Sequence, residues 1–378
     1  MKLTGRALIA CFPLVMLVAL LVLTGQWTGA PLPLSKTPHR VTVRQLDGER
    51  VLQSSGDAKL TLVGQWALTG DGQEFGGFSA LVVPHRDRLI LFSDRGWWLG
   101  IGTPDTTLEP VWWNRQPKPA EMKRWSFDTE SATLDRESGQ IWLSYEITNT
   151  IYRLPMLTGE ADDAFAQPAA MADWPSNSGP ESLLRLHDGR FIVLEEGQAL
   201  WGIAPSEGLL FPKDPVEASK MEEADPNEAE RVGPAKPSPK EGGQEAEQDL
   251  PVSFRFIPPA NYRPTDMALL PDGRVLILLR SLHLPPPLFG ARIVVADPSA
   301  IGRGGTWPWC PLVNFADQIR MDNYEGLAVA PAAKGEAVDL WMVSDDNRAS
   351  FQQTLLVKIR LTLPSGPLCR LDQIDPKP

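Results

Sequence analysis

The chain of 378 residues carries a formal net charge of −11, a pI near 5.0 and 43% hydrophobic residues. That apolar fraction supplies a sizeable core and excludes disorder throughout. The acidic balance, with no basic stripe to offset it, excludes a nucleic-acid partner, because phosphate binding needs a basic surface.

The N-terminus places Lys2 and Arg6 ahead of a mostly apolar run from Ala7 to Leu23, followed by TGQWTGA. A positive region before an apolar helix of this length predicts an export signal, and nothing after it is apolar enough to cross a bilayer again. Residues 1–30 are therefore read as a signal peptide, with small residues at Thr28-Gly29-Ala30, or as a membrane anchor with Trp27 at the interface. The letters LIAC ending at Cys11 match a lipidation box, but the apolar run follows the cysteine instead of preceding it. The body of the protein is expected to be exported and periplasmic, either soluble or held at the inner membrane by this segment, and to act as a monomer. In such a compartment Cys310 and Cys369 are candidates for a disulfide closing a loop of about 60 residues; the alternative is two buried thiols.

Past the leader, the segments HRVTVRQLDG and AKLTLVGQWALTG read as strands. Five hairpins follow, each a short apolar strand, a turn rich in Asp, Gly, Pro or Arg, and a β-branched or aromatic second strand. They begin at Phe78 (FSALVVPHRDRLILFSDRG), Glu130 (ESATLDRESGQIWLSYEITN), Glu181 (ESLLRLHDGRFIVLEEG), Asp266 (DMALLPDGRVLILLRS) and Glu325, within YEGLAVAPAAKGEAVDLWMVSDDN. The intervals are 52, 51, 85 and 59 residues. The long one contains an insertion, 213–251, whose stretch Lys213 to Asp249 holds 5 basic and 11 acidic residues and no apolar periodicity. That composition predicts a disordered insertion, and removing it returns the interval to about 48, close to the repeat length expected of propeller blades.

A period near 50 built of hairpins, with no amphipathic helices between them, predicts an all-β fold: a β-propeller of five or six four-stranded blades spanning 38–375, preceded by the N-terminal apolar helix. A sixth blade would draw on the N-terminal strands, completed by TLLVKIRLTL near the C-terminus. The thirteen tryptophans are expected to fill gaps between blades more than to stack sugars.

In a propeller the first strand of each blade lines the central channel, so a residue recurring at its start recurs around one ring. Four of the five such positions are acidic: Glu130, Glu181, Asp266 and Glu325. The second strands end in an aligned polar set, Asp94, Glu146, Glu196, Arg280 and Asp345, which Asp346 and Asn347 extend. Any one such acid is better explained as a turn cap or an acceptor of backbone N–H groups. The recurrence argues for a shared site, and carboxylates crowded at one mouth repel unless a cation or protons intervene. Oxygen-only ligands suit a hard ion, Ca²⁺ before Mg²⁺.

Other chemistries fit less well. His39, His85, His187 and His283 show no zinc spacing, no G-x-S-x-G elbow is present, and GQEFGG lacks the spacing of a dinucleotide loop.

The motifs FGGFSAL with LILFSDRG, GPESLLRLHDGRFIVLEEG, and NYEGLAV leading to LWMVSDDN and FQQTLLVKIRL resemble the phytase-like family described as "esterase-like activity of phytase". The resemblance spans roughly Phe75 to Leu361. It implies an exported, typically bacterial β-propeller with hydrolase activity on a phosphoric or other ester. The positions it carries over are Ser93, Asp94 and Arg95; Glu181, Glu195 and Glu196; and Asn323, Glu325, Ser344, Asp345, Asp346 and Asn347. Two departures are the insertion, expected to shield one rim, and Leu279-Arg280 in place of an acidic pair.

The resulting expectation is metal-assisted hydrolysis of a small-molecule ester. Glu130, Asp266, Glu325, Asp94, Asp345, Asp346 and Asn347 would hold Ca²⁺, Glu181 and Glu196 would serve as acid or base, and Arg95 and Arg280 would meet developing charge. A non-catalytic envelope module binding a ligand or partner on the same face is one alternative. A gluconolactonase-like lactone hydrolase is another.

Overall fold

The computed structural model describes residues 40–72, 74–108, 111–116, 127–155, 164–197, 202–218, 250–283, 289–333, 335 and 337–362. The expected leader at 1–30, Cys369 and most of the insertion lie outside the described residues. Among those described, no helix is long and apolar enough to cross a membrane. Cys310 is disulfide-bonded.

Three strands come first, β1 (Val41–Asp47), β2 (Arg50–Leu52) and β3 (Lys59–Gly70). Four antiparallel sheets of four strands follow in chain order. Blade 1 is β4 (Phe78–His85), β5 (Arg88–Ser93), β6 (Trp97–Gly102) and β7 (Trp112–Arg115). Blade 2 is β8 (Thr129–Asp135), β9 (Gln140–Tyr145), β10 (Thr150–Pro155) and β11 (Ala164–Ala166). Blade 3 is β12 (Pro180–Arg185), β13 (Phe191–Glu195), β14 (Ser206–Phe211) and β15 (Val252–Phe256). Blade 4 is β16 (Tyr262–Leu269), β17 (Val275–Leu282), β18 (Phe289–Ala296) and β19 (Trp309–Asn314).

The last sheet settles the blade number. It runs β20 (Asn323–Val329), β21 (Val338–Asp345), β22 (Thr354–Thr362) and then β3, so the N-terminal strands complete blade 5 and form no sixth. The β22–β3 ladder, from Thr354↔Leu68 to Thr362↔Lys59, joins the two ends of the chain. Closing the ring this way lets each blade pack against a neighbour on either face. The first strands β4, β8, β12, β16 and β20 contact one another in sequence, with β20 returning to β4, and so line the channel.

Why the hairpins form is visible locally. In blades 3 and 4 the turns HDGR and PDGR are closed by Asp188 and Asp272, whose Oδ1 atoms accept the backbone N–H of Arg190 and Arg274 at 3.1 Å. The strands they join are apolar on both faces, because each blade is covered by a blade on either side. Accordingly there is no single core. Five apolar clusters lie between successive blades, with Phe92 and Leu143 in one, Trp142 and Phe191 in the next, and Trp66 and Trp341 where blade 5 meets blade 1. Trp66 and Trp341 stack at 5.9 Å between centroids. Each fully buried aliphatic side chain in these seams stabilises the fold by about 1.5–3 kcal/mol.

The insertion starts later than its composition predicts. Val216 is fully buried, and Arg153 of β10 pairs with Asp214 at 2.6 Å and with Glu217 at 2.9 Å. Two acids that count toward disorder in the sequence are thus fixed by a neighbouring blade's guanidinium. Residues 219–249 lie outside the described residues. The flanking residues, Phe211 opposite Phe191 and Val252 opposite Leu210, sit at the end of blade 3 remote from Glu195.

Candidate functional site

Each channel-lining strand carries one irregularity near its start. The pairing with the second strand skips a single residue: Ser79, Glu130, Glu181, Thr265 and Glu325. Such a bulge re-aims a side chain and leaves it outside the ladder. Three of the five bulged residues are glutamates. Sequence alignment alone sets Phe78 and Asp266 in this ring, one residue away from the true equivalents in blades 1 and 4.

That single residue changes where Asp266 goes. Its buried carboxylate accepts Ser131 Oγ at 2.7 Å and the backbone N–H groups of Leu327 at 2.7 Å and Met267 at 2.9 Å. It stitches blade 4 to blades 2 and 5 and does not join the other acids. Burial raises its pKa well above the usual carboxylate range, against the three hydrogen bonds.

A second ring surrounds the bulges. Two residues ahead of each bulge stand Gly77, Asp128, Gly179, Arg263 and Asn323, and opposite them, at the ends of the second strands, Asp94, Glu146, Glu196, Arg280 and Asp345. In blades 1, 2 and 3 the same backbone bond ties each pair: Asp94 N to Gly77 O at 2.8 Å, Glu146 N to Asp128 O at 2.9 Å and Glu196 N to Gly179 O at 3.3 Å. In blades 4 and 5 Arg263 faces Arg280 and Asn323 faces Asp345 in the ladder. The glycines are needed for close approach. A Cβ on Gly77 would lie 2.3 Å from Asp94 Oδ1, and one on Gly179 would lie 2.9 Å from the Glu146 carbonyl.

The carboxylates gather in two overlapping groups. Ligand oxygens of Asp128, Glu130 and Glu146 all lie within 4.8 Å of one another, as do those of Glu146, Glu181 and Glu196. Glu181 is 7% exposed, and among the described residues no donor reaches its carboxylate. On the other side Arg280 donates to Glu196 Oε1 at 2.8 Å and to Asn323 Oδ1 at 3.0 Å, and lies 3.4 Å from Glu325 Oε1. Asn323 Nδ2 in turn donates to Glu325 at 2.7 Å.

Crowding shifts these groups in one direction. Burial, then Glu181 and Asp128, holds Glu130 well above the ordinary range, and burial, then Glu196 and Glu146, does the same to Glu181. Glu146 is pushed up to about 8 by burial and by Asp128, and Asp128 to about 6 by burial and by Asp94. Glu325 reaches about 7, burial outweighing Arg280 and Asn323. Asp345 is raised by burial, Glu325 and Asp94. Burial also raises Asp94, against Arg95 and Ser93. Burial weakens the proton affinity of Arg280, but the surrounding glutamates outweigh it and keep the guanidinium charged. The physical content is a mouth that binds protons, or a cation in their place.

Several residues carried over by resemblance are occupied otherwise. Asp346 accepts Gly77 N at 3.1 Å, Arg348 N at 3.0 Å and Thr354 Oγ1 at 2.9 Å, which makes it a turn cap. Asn347 sits in that turn at φ 44° and donates its backbone N–H to Asp345 at 2.8 Å. Glu195 accepts Glu207 N at 3.2 Å, and Ser344 Oγ bridges Gln353 O and Leu355 N. Arg95 pairs with its neighbour Asp94 at 3.2 Å and donates to Gly76 O at 2.9 Å. Asp128 and Arg263 escape a sequence reading that aligns hairpin starts, because their place two residues ahead of each bulge shows only in the ladder register. The channel's other end opens into a cavity of about 280 Å³ lined by Leu81, Val83, Arg136, Leu186 and Met267, at the far ends of the same strands.

Fold and site together define a closed five-bladed propeller whose channel mouth is a ring of carboxylates broken by arginine on blade 4. The chain belongs to the phytase-like family described as "esterase-like activity of phytase", whose model matches residues 73–348. Among solved structures it is similar to Kuenenia stuttgartiensis hydrazine synthase, at 10% identity over 73% of this chain and 80% of that one, with a TM-score of 0.36. It is also similar to the WD40 β-propeller domain of Doa1, at 11% identity over 79% of this chain and 96% of that one, with a TM-score of 0.35. Likeness at that level carries no functional argument. No curated protein matches the chain.

Proposed function

We propose that the protein is an exported, metal-assisted ester hydrolase, with calcium as the ion and a phosphoric ester as the favoured substrate. The observation that carries this reading is the pair of carboxylate triplets sharing Glu146, each with its ligand oxygens within 4.8 Å. All the donors are oxygen, as a hard cation requires. Glu181, buried and without a donor among the described residues, is what an ion would satisfy, since an unpaired buried carboxylate otherwise costs several kcal/mol or takes up a proton, on the order of the penalties known for buried charge.

Asp128, Glu130, Glu146, Glu181 and Glu196 would hold the ion. Bound there, calcium would polarise a phosphoryl or carbonyl oxygen and acidify a water. Glu325 is the group to accept the proton of the attacking water at its carboxylate, because Asn323 and Arg280 fix its orientation. Arg280 meets charge developing beside Glu325 and Glu196. Glu181 and Glu325 thus exchange the roles that sequence alone suggests.

The test is release of phosphate from para-nitrophenyl phosphate and phytate, and of nitrophenol from para-nitrophenyl acetate, in chelator and in calcium. Calcium-dependent turnover that Glu181→Gln abolishes is the expected result. No calcium-dependent turnover of any ester would leave the non-catalytic ligand-binding module.

A further inference from the structure

The mouth is cationic on blade 4 and acidic on the other four blades, and the two arginines of blade 4 are not equivalent. Arg263 and Arg280 face each other directly in the β16–β17 ladder. Side chains at such positions share a face with Cβ atoms about 5 Å apart, and like charges there destabilise the sheet. Arg280 has a structural reason to be present, since it pairs with Glu196 and Glu325 and bonds Asn323. Arg263 has none of these. It is 9% exposed, and among the described residues its sole hydrogen-bond acceptor is Gly197 O, at the limiting distance of 3.5 Å. A guanidinium carries five N–H donors in a planar fork. Most of the fork is therefore charged and unspent, beside a carboxylate cluster but at ion-pair distance from no carboxylate among the described residues.

We propose that Arg263 is the anion subsite of this mouth, with Arg280 behind it, and that it takes the phosphoryl group of an anionic ester as a bidentate ligand. The fork matches two oxygens of a phosphoryl group, and burial strengthens such a charge-assisted pair. The direct Arg263–Arg280 opposition is then relieved by the ligand's charge. Burial lowers the proton affinity of Arg263, with Glu196 opposing, which agrees with a cation lacking a close counter-ion. The word substrate rests on the hydrolase reading; the anion subsite does not.

The experiment is calorimetric titration of the full chain with inorganic phosphate, in calcium and again in chelator, for the native chain and for Arg263→Gln and Arg263→Lys. Thermal melts with and without phosphate run in parallel. The native chain should bind phosphate in both media, Arg263→Gln should lose tenfold or more in affinity, and Arg263→Lys should fall between them, while Arg263→Gln binds calcium at least as tightly as the native chain. Phosphate should raise the melting temperature of the native chain and of Arg263→Lys more than that of Arg263→Gln. Equal phosphate affinity in native and Gln forms, or binding by the native chain only in calcium, would overturn the proposal. So would loss of calcium binding in parallel with phosphate. Should no ester be turned over while phosphate binding still depends on Arg263, the hydrolase reading falls and this subsite stands.

Discussion

Raising the pH of the calcium-free protein should destabilise it. Burial pushes the carboxyls of Glu146 and Glu325 up to about 8 and about 7 in the fold, from the ordinary glutamate value of 4.5. A folded acid with raised pKa retains protons that the unfolded chain has released, so stability is full below the unfolded pKa and falls as pH rises through the folded one. At about 1.4 kcal/mol per tenfold change in proton affinity, Glu325 alone corresponds to about 3 kcal/mol and Glu146 to about 5. Both groups face Glu196 and so do not simply add, and the loss expected between pH 4.5 and 8 is about 3–5 kcal/mol. For a domain of this size that lowers the melting temperature by about 10 °C. Circular dichroism melts in chelator at pH 4.5, 6 and 8 measure it. Saturating calcium should flatten the dependence and stabilise more at pH 8 than at pH 4.5, because protons compete less for its ligands there. The window avoids the opposite trend of Asp339, whose pKa is lowered by Arg360 and Lys358 against burial and whose contribution fades only in stronger acid. A melting temperature constant or rising from pH 4.5 to 8 in chelator would refute the reasoning.

Removing the cation from the mouth should be as damaging: Arg280→Leu leaves Glu196 and Glu325 without their counter-ion and should cost about 3–5 kcal/mol in urea unfolding at neutral pH. Glu181→Gln removes a carboxylate that no donor among the described residues satisfies, so calorimetry should show calcium affinity reduced at least tenfold, while the chelated protein at pH 8 becomes more stable. Asp266→Ala orphans two buried backbone N–H groups and Ser131, which should destabilise the fold by about 3 kcal/mol without changing the calcium affinity of the folded protein.

What the amino-acid order determined is the part that depends on neighbours along the chain. Short apolar strands and turns rich in Asp, Gly, Pro or Arg write five hairpins near a period of 50, and apolar residues on both strand faces require each blade to be covered twice. The polar set Asp94, Glu146, Glu196, Arg280 and Asp345 is legible for the same reason, since each residue follows its own hairpin's second strand. Tertiary structure decided the rest, through ladders whose partners lie far apart in sequence. The pairing of β22 with β3 makes five blades instead of six. The bulge in each inner strand, which appears only in its register against the second strand, carries Glu130, Glu181 and Glu325 to the mouth and leaves Asp266 as an inter-blade tie. Asp128 joins the acids and Arg263 the cations because ring closure brings blades together, and electrostatic crowding exists only once the ring is closed.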